Sequence, residues 1–277
     1  MSYKIYRFIS FESFVDIVIR KQLAFVTYDM WQDPYEGFVI KAMKTEQGRF
    51  DVLEWLKRNQ TSNDMPPDVR LELLNQFSKT IHLQSWTKHA ETDALWRIYS
   101  HNGNAIRIET DTKKIQRIEK IALLQVDYRD VNLERELKSI FLPDGKMEMH
   151  KAFSWKRKAF EHEKEVRLYT HIDNNYLPNE QRLEQDTDLL LKAAKIFKDK
   201  GEITEQVYND FVGREKIRSE TDFRIKQISF AHIPEFIESV VVHPTAADWY
   251  VQTVKQFCEN YQINFIGKSN LYKFVHQ

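Results

Sequence analysis

Residues 160–170 read FEHEKEVRLYT, with three carboxylates, Glu161, Glu163 and Glu165, running into Val166, Leu168 and Tyr169. The alternation predicts extended chain, and a period of two puts all three carboxylates on one face of it. Like charges gathered where a strand begins are unfavourable unless a cation, a proton or a ligand offsets them. One reading is a solvated strand edge on which Lys164 and Arg167 act as counter-charges. The other is a catalytic carboxylate pair, Glu163 and Glu165.

The approach to this stretch carries Lys151, Lys156, Arg157 and Lys158, interleaved with Phe153, Trp155 and Phe160. Such a run can steer and stack single-stranded RNA or DNA, or simply face solvent. Beyond Asp173 the pattern turns helical. Residues 184–200 (EQDTDLLLKAAKIFKDK) form an amphipathic helix stopped by Gly201, and a second helix fits Thr204–Val212. The segment 174–222 therefore reads as a helical insertion between two strands. Phe223–Phe230 and Glu238–His243 read as closing strands, and Thr245 with Asp248 as a capping box in which aspartate replaces glutamate. A helix to Tyr261 and a strand at Ile263–Ile266 follow.

Toward the N-terminus, 3–9 (YKIYRFI) predicts a strand containing Arg7. Ser10 is the expected N-cap of a helix with Phe11, Phe14, Val15, Val18 and Ile19 at helical spacing. Leu23–Tyr28 returns to strand, and Trp31–Gly37 (WQDPYEG) is a turn, because Pro34 blocks helix and Asp33 bonds to nearby backbone. Helical patterns cover 50–59 and 68–79. Ile81–Thr87 (IHLQSWT) is a strand, Asp93–Ser100 a helix with Asp93 as its N-cap, and Ala105–Glu109 a strand entered through the Asn102–Asn104 turn. Ile121–Tyr128 is a strand and 132–141 a charged helix.

With 41 basic and 41 acidic residues the net charge is zero, which argues against a broad, sequence-blind nucleic-acid binder. The single cysteine, Cys258, excludes an internal disulfide and a cysteine-built zinc site, and its helical setting predicts a buried structural thiol. No signal-peptide pattern opens the chain and no apolar run is long enough to span a bilayer, so a soluble, cytoplasmic protein is expected. The seven glycines build neither a GxGxxG nor a P-loop arrangement, and the nine histidines show no HExxH spacing. No GxSxG elbow is present. Any chemistry falls to carboxylates, arginines, hydroxyls and aromatics, with no metal site expected.

Three blocks resemble a bacterial family of unknown function. Residues 6–37 (YRFISFESFVDIVIRKQLAFVTYDMWQDPYEG) are similar to an opening that ends in an FNDPFE-type turn. Residues 83–109 (LQSWTKHAETDALWRIYSHNGNAIRIE) are similar to a CFS…MWxxY pattern, and 158–169 (KAFEHEKEVRLY) to a WxxExExR pattern. A weaker echo lies at SVVVHPTA, 239–246. The chain also resembles ADP-ribosyltransferases of the arginine–serine–glutamate type. These carry an Arg on the first strand, a serine-containing STS-like strand in the middle, and an E-x-E pair at a later strand. Arg7, Ser85 with Thr87, and Glu163-x-Glu165 match in that order, although Trp86 stands where the motif has a threonine.

The resemblance implies NAD as substrate. Glu165 would stabilise the positive charge that develops on the ribose, and Glu163 would orient or deprotonate the acceptor. Arg7 would neutralise the pyrophosphate or ribose side, and Ser85 would position the glutamate or the ribose. Trp86, Trp96 or Tyr99 would offer an aromatic face for nicotinamide, although Trp96 and Tyr99 at i and i+3 fit a core pair as well. Arg7 fits equally an ordinary salt bridge. The cofactor-binding set is thus Arg7, Ser85, Trp86, Thr87 and Tyr99.

The expected fold is α+β across 1–277 as a single catalytic-type domain. It has an ADP-ribosyltransferase-like split, mainly antiparallel sheet, flanking helices and the 174–222 insertion. The function expected is NAD-dependent ADP-ribosyl transfer to RNA or protein, in a toxin–antitoxin or antiviral defence setting with an antitoxin or other inhibitory partner. Two alternatives stand beside it. One is a non-catalytic module whose glutamates bind a basic partner. The other is a nuclease with Mg²⁺ held by Glu161, Glu163, Glu165 and Asp173.

Overall fold

The computed structural model describes residues 2–60, 65–100, 103–171, 195–196, 198–201, 204–206, 224–231 and 233–274. Strand β1 (Lys4–Ser10) is followed by helix α1 (Phe11–Arg20) and strand β2 (Gln22–Val26). Ser10 caps α1 by accepting from the Ser13 N–H at 3.2 Å, and Phe14, Ile17 and Val18 form the buried stripe that holds the helix on the sheet. Helices α2 (Phe38–Met43), α3 (Glu46–Arg58) and α4 (Pro67–Thr80) lead to β3 (Ile81–Thr87). Then come α5 (Asp93–Tyr99), β4 (Ala105–Asp111), α6 (Thr112–Gln116), β5 (Ala122–Gln125), β6 (Asp127–Tyr128) and α7 (Leu133–Ile140). Strands β7 (Trp155–Lys156), β8 (Glu165–His171), β9 (Ile225–Ser229), β10 (Ser239–Val242) and β11 (Phe265–Lys268) complete the described strands.

Nine of the described strands form one mixed sheet, antiparallel except where β10 meets β11, and β6 and β7 form a separate parallel pair. Strand β3 organises this sheet. One of its edges pairs with β8 along its whole length, from Ile81↔His171 to Thr87↔Glu165. A strand has only two edges, so β1 and β2 must share the other. They do so at single points, Tyr6↔Thr87 and Val26↔Leu83. Between those points β1 and β2 diverge, and the sheet is split beside Gln84, Ser85 and Trp86.

Both faces of the sheet are covered. On one, Trp86, Val166 and Leu168 pack with α1 and with Tyr250, Val254 and Cys258 of the helix Asp248–Asn260. On the other, Leu83 and Leu124 pack with Ile40, Leu56, Leu71, Leu74 and Leu137 of α2, α3, α4 and α7. Alternation along β3 and β8, together with the Ser85↔Arg167 pair, puts Ser85, Glu165 and Arg167 on this second face.

Several local expectations are corrected. The 158–163 segment is a 3₁₀ turn and not strand, and the strand begins only at Glu165. Thr92 rather than Asp93 caps α5, its hydroxyl accepting from the Leu95 N–H at 3.1 Å. Thr245 forms no capping box, because its hydroxyl meets His243 Nδ1 at 2.9 Å and the helix starts from Ala247 with no side-chain cap. Helix α2, directly after the WQDPYEG turn, was not anticipated. The expected insertion at 174–222 lies outside the described residues, except for short helical pieces at 195–196, 198–199 and 205–206.

Candidate active site

A cleft of about 390 Å³ opens at the split, within the size range of small-molecule sites. Arg7 of β1, Ser85 of β3, Glu163 and Glu165 before and at the start of β8, Trp31 and Tyr99 line it. The turn that delivers the two glutamates is set by backbone. Lys164 lies in the left-handed region (φ 42°, ψ 48°), and Thr87 Oγ1 donates to the Glu163 carbonyl at 2.6 Å. Glu163 and Glu165 therefore meet through a left-handed turn and not through strand alternation. Glu161 stays exposed, paired with Lys164 at 3.3 Å.

Glu165 is buried and fully engaged. Its Oε1 accepts from Ser85 Oγ at 2.6 Å and Arg167 Nε at 2.8 Å, and Lys156 Nζ lies 3.0 Å from Oε2. Its own N–H donates to the Tyr128 hydroxyl at 2.6 Å. Burial alone would raise its pKa, but Arg167 and Lys156 overcome that and hold it at about 2. The carboxylate is ionised.

The cations are shared. Lys156 Nζ reaches Glu163 at 2.6 Å, Glu165 at 3.0 Å and Glu36 at 3.1 Å, so all three of its protons have a carboxylate to meet. Burial works to lower its pKa, yet the three glutamates hold it above the usual lysine value. Arg167 is fully buried. It bonds Glu165, Glu36 at 2.9 Å and the Phe153 carbonyl at 2.6 Å, and its guanidinium stacks 4.2 Å from the Trp31 ring. Burial, reinforced by Glu165, keeps Glu36 above its ordinary pKa in spite of both cations. With every group ionised, three carboxylates face two cations, and one negative charge is left over.

Arg7 is the contrast. It lines the same cleft, and among the described residues its side chain has neither an ion pair nor a hydrogen bond. Burial pulls its pKa down to about 10. The guanidinium is half-buried, and with no carboxylate beside it its donors are left to an anion that enters the cleft. The N-terminus of α1, through Ser10 and Ser13, borders the same space.

The remaining named residues divide. Thr87 is buried and works on backbone, holding the Glu163 carbonyl and accepting from the His89 N–H at 3.0 Å. Trp86 borders the cleft, but its ring is packed in the core, with its N–H on Gln84 Oε1 at 2.7 Å and its edge to Phe236, so it offers no open face. Trp96 is likewise core, edge-on to Phe8 at 4.7 Å. Tyr99 is the rim aromatic, 44% exposed and stacked over Phe8. Asp173 lies outside the described residues.

The basic run is not an open binding surface. Lys156 is buried in the carboxylate cluster, Phe153 and Trp155 are core, and Arg157 is tied to Asp33 at 2.9 Å. Sequence reasoning missed Glu36, Lys156, Arg167 and Trp31 as site residues. For Arg167 a signal existed: two residues past Glu165 on a strand, it had to share that carboxylate's face. Glu36 gave no such signal, since its turn comes within reach only through tertiary packing.

A family model described as "Protein of unknown function (DUF2971)" matches residues 95–168. That span runs from α5 into β8 and includes Lys156, Glu163, Glu165 and Arg167, but not Arg7, Glu36 or Ser85. No curated protein and no solved structure matches the chain.

Proposed function

We propose that this protein is an ADP-ribosyltransferase that uses NAD as substrate and a protein or nucleic acid as acceptor. The observation that carries the reading is that Arg7, Ser85 and Glu165, from three different strands, line one cleft, with Glu165 ionised and bonded to Ser85. When bound, NAD supplies the nicotinamide–ribose bond that breaks, the bonding pair leaving with nicotinamide. Glu165, held in place by Ser85 and Arg167, presents a fixed negative charge to the positive charge that grows on the ribose. The surplus negative charge of the cluster acts in the same sense. Arg7 and the N-terminus of α1 attract the pyrophosphate, which completes the unpaired guanidinium. Glu163, at the cleft wall, takes the proton that the acceptor nucleophile loses as its new bond to the ribose forms.

The Mg²⁺ nuclease reading has less support, because the Lys156 ammonium already occupies the point on which Glu36, Glu163 and Glu165 converge. The test is incubation of the purified protein with labelled NAD and separate protein and RNA fractions of a lysate. Label transfer or nicotinamide release is expected from wild type, with a loss of about 100-fold or more in Glu165→Gln. Neither product from wild type would leave the non-catalytic module as the reading.

A further inference from the structure

The buried lysine beside the glutamate pair has no part in the reaction scheme above, and its surroundings define one. Ammonium groups are strongly hydrated and rarely buried without cause. Lys156 is 8% exposed, enters from the two-residue strand β7, and its side chain crosses to three carboxylates that come from three separate segments. Glu36 belongs to the turn before α2, Glu163 to the 3₁₀ turn, and Glu165 to β8. Arg167 touches Glu36 and Glu165 but makes no ion pair with Glu163. Lys156 is thus the cation common to both members of the Glu163–Glu165 pair.

We infer that Lys156 is a positioning residue: it ties Glu163 and Glu165 to one ammonium, offsets their charge and aims both at the cleft. The inference rests on the NAD reading for its catalytic meaning but not for its electrostatic content. Two carboxylates gathered on one ammonium in a site of reduced dielectric repel each other, and taking the shared cation away favours protonation. Among the described residues, the charged or titratable groups about the ammonium are Glu36, Glu163 and Glu165 in contact, Arg167 behind Glu36 and Glu165, Arg157 on the same Phe160 ring, and Tyr99 of α5 and Tyr128 of β6 at the margin. The Phe160 ring caps the ammonium, 4.9 Å from its centroid. Removing Lys156 leaves three carboxylates against Arg167 alone. The pKa of Glu165, which Lys156 helps to hold down, must rise, and activity that needs ionised Glu165 is then lost at higher pH than in wild type.

The experiment uses the full chain. Carboxyl NMR titration of ¹³C-glutamate-labelled wild type and Lys156→Met is expected to show Glu165 titrating about one pH unit or more higher in the variant. In parallel, the acid limb of the NAD-turnover pH profile moves up by a similar amount, and kcat falls about tenfold or more with a smaller change in KM. Glu36→Gln combined with Lys156→Met restores the wild-type charge balance and brings both readouts back toward wild type; a lysine needed only for packing predicts no such return. Lys156→Arg keeps the charge and holds the acid limb in place, and with the double variant it carries the comparison if Lys156→Met does not fold. Unchanged glutamate titration in a folded Lys156→Met protein overturns the inference whatever the activity. Absence of turnover in wild type, with the NMR shift present, overturns the NAD reading and leaves Lys156 as the cation that joins the pair and helps to hold Glu165 ionised.

Discussion

Arg7 separates a structural role from a functional one more cleanly than any other residue here. A guanidinium that supports the fold would have a partner, and its loss would leave that partner buried and unpaired. Arg7 has none among the described residues, so Arg7→Gln is expected to leave unfolding stability within about 0.5 kcal/mol of wild type or to raise it. Affinity for ADP-ribose should fall about tenfold or more, the worth of hydrogen bonds between charged groups. Urea unfolding and titration calorimetry on the same samples check both halves. A large stability loss with unchanged affinity would return Arg7 to the scaffold. The residue types of the site were legible in the sequence; their environments were not. Arg167 fitted an exposed counter-charge, yet it is buried because Glu165, Glu36 and the Trp31 ring together replace its water. Trp86 fitted a stacking platform, yet strand alternation turns its ring into the opposite face of the sheet.

Among the elements, β1, α1, β2, β3, β4 and β8 followed from periodicity and caps, because each has a buried face wide enough to impose its period on the sequence. The turn before β8 did not, since E-x-E-x-E alternates whether the chain is extended or coiled, and a left-handed residue at Lys164 leaves no trace in composition. That turn makes its own prediction. Lys164→Val places a β-branched side chain where φ is positive and is expected to cost about 1–2 kcal/mol, whereas Lys164→Gly is neutral or stabilising. If Glu163 and Glu165 meet through this turn, Lys164→Val also lowers NAD turnover while Lys164→Gly retains it. Equal behaviour of the two variants in unfolding and turnover assays would mean that the turn does not set the pair.

At the scale of the whole molecule, two cores on opposite faces are joined through a single sheet, a topology decided by pairings between strands far apart in the chain, which local pattern does not reveal. Cys258, with no exposed surface and its pKa pushed up to about 12 by burial, reports on that assembly. Its thiol is expected to react with an aromatic disulfide only through global opening, so that labelling rate and urea-derived stability change in step across variants. Fast labelling in native buffer would instead mark the helix Asp248–Asn260 as a unit that opens alone. The split in the sheet has a last consequence. Ser85 and Glu165 hang from strands zipped together along their whole length, whereas the strand that carries Arg7 reaches β3 at one bridge alone. An inhibitor of such a protein therefore gains most by plugging the fissure and wedging its Arg7 side outward, since prising Ser85 from Glu165 means tearing the main ladder.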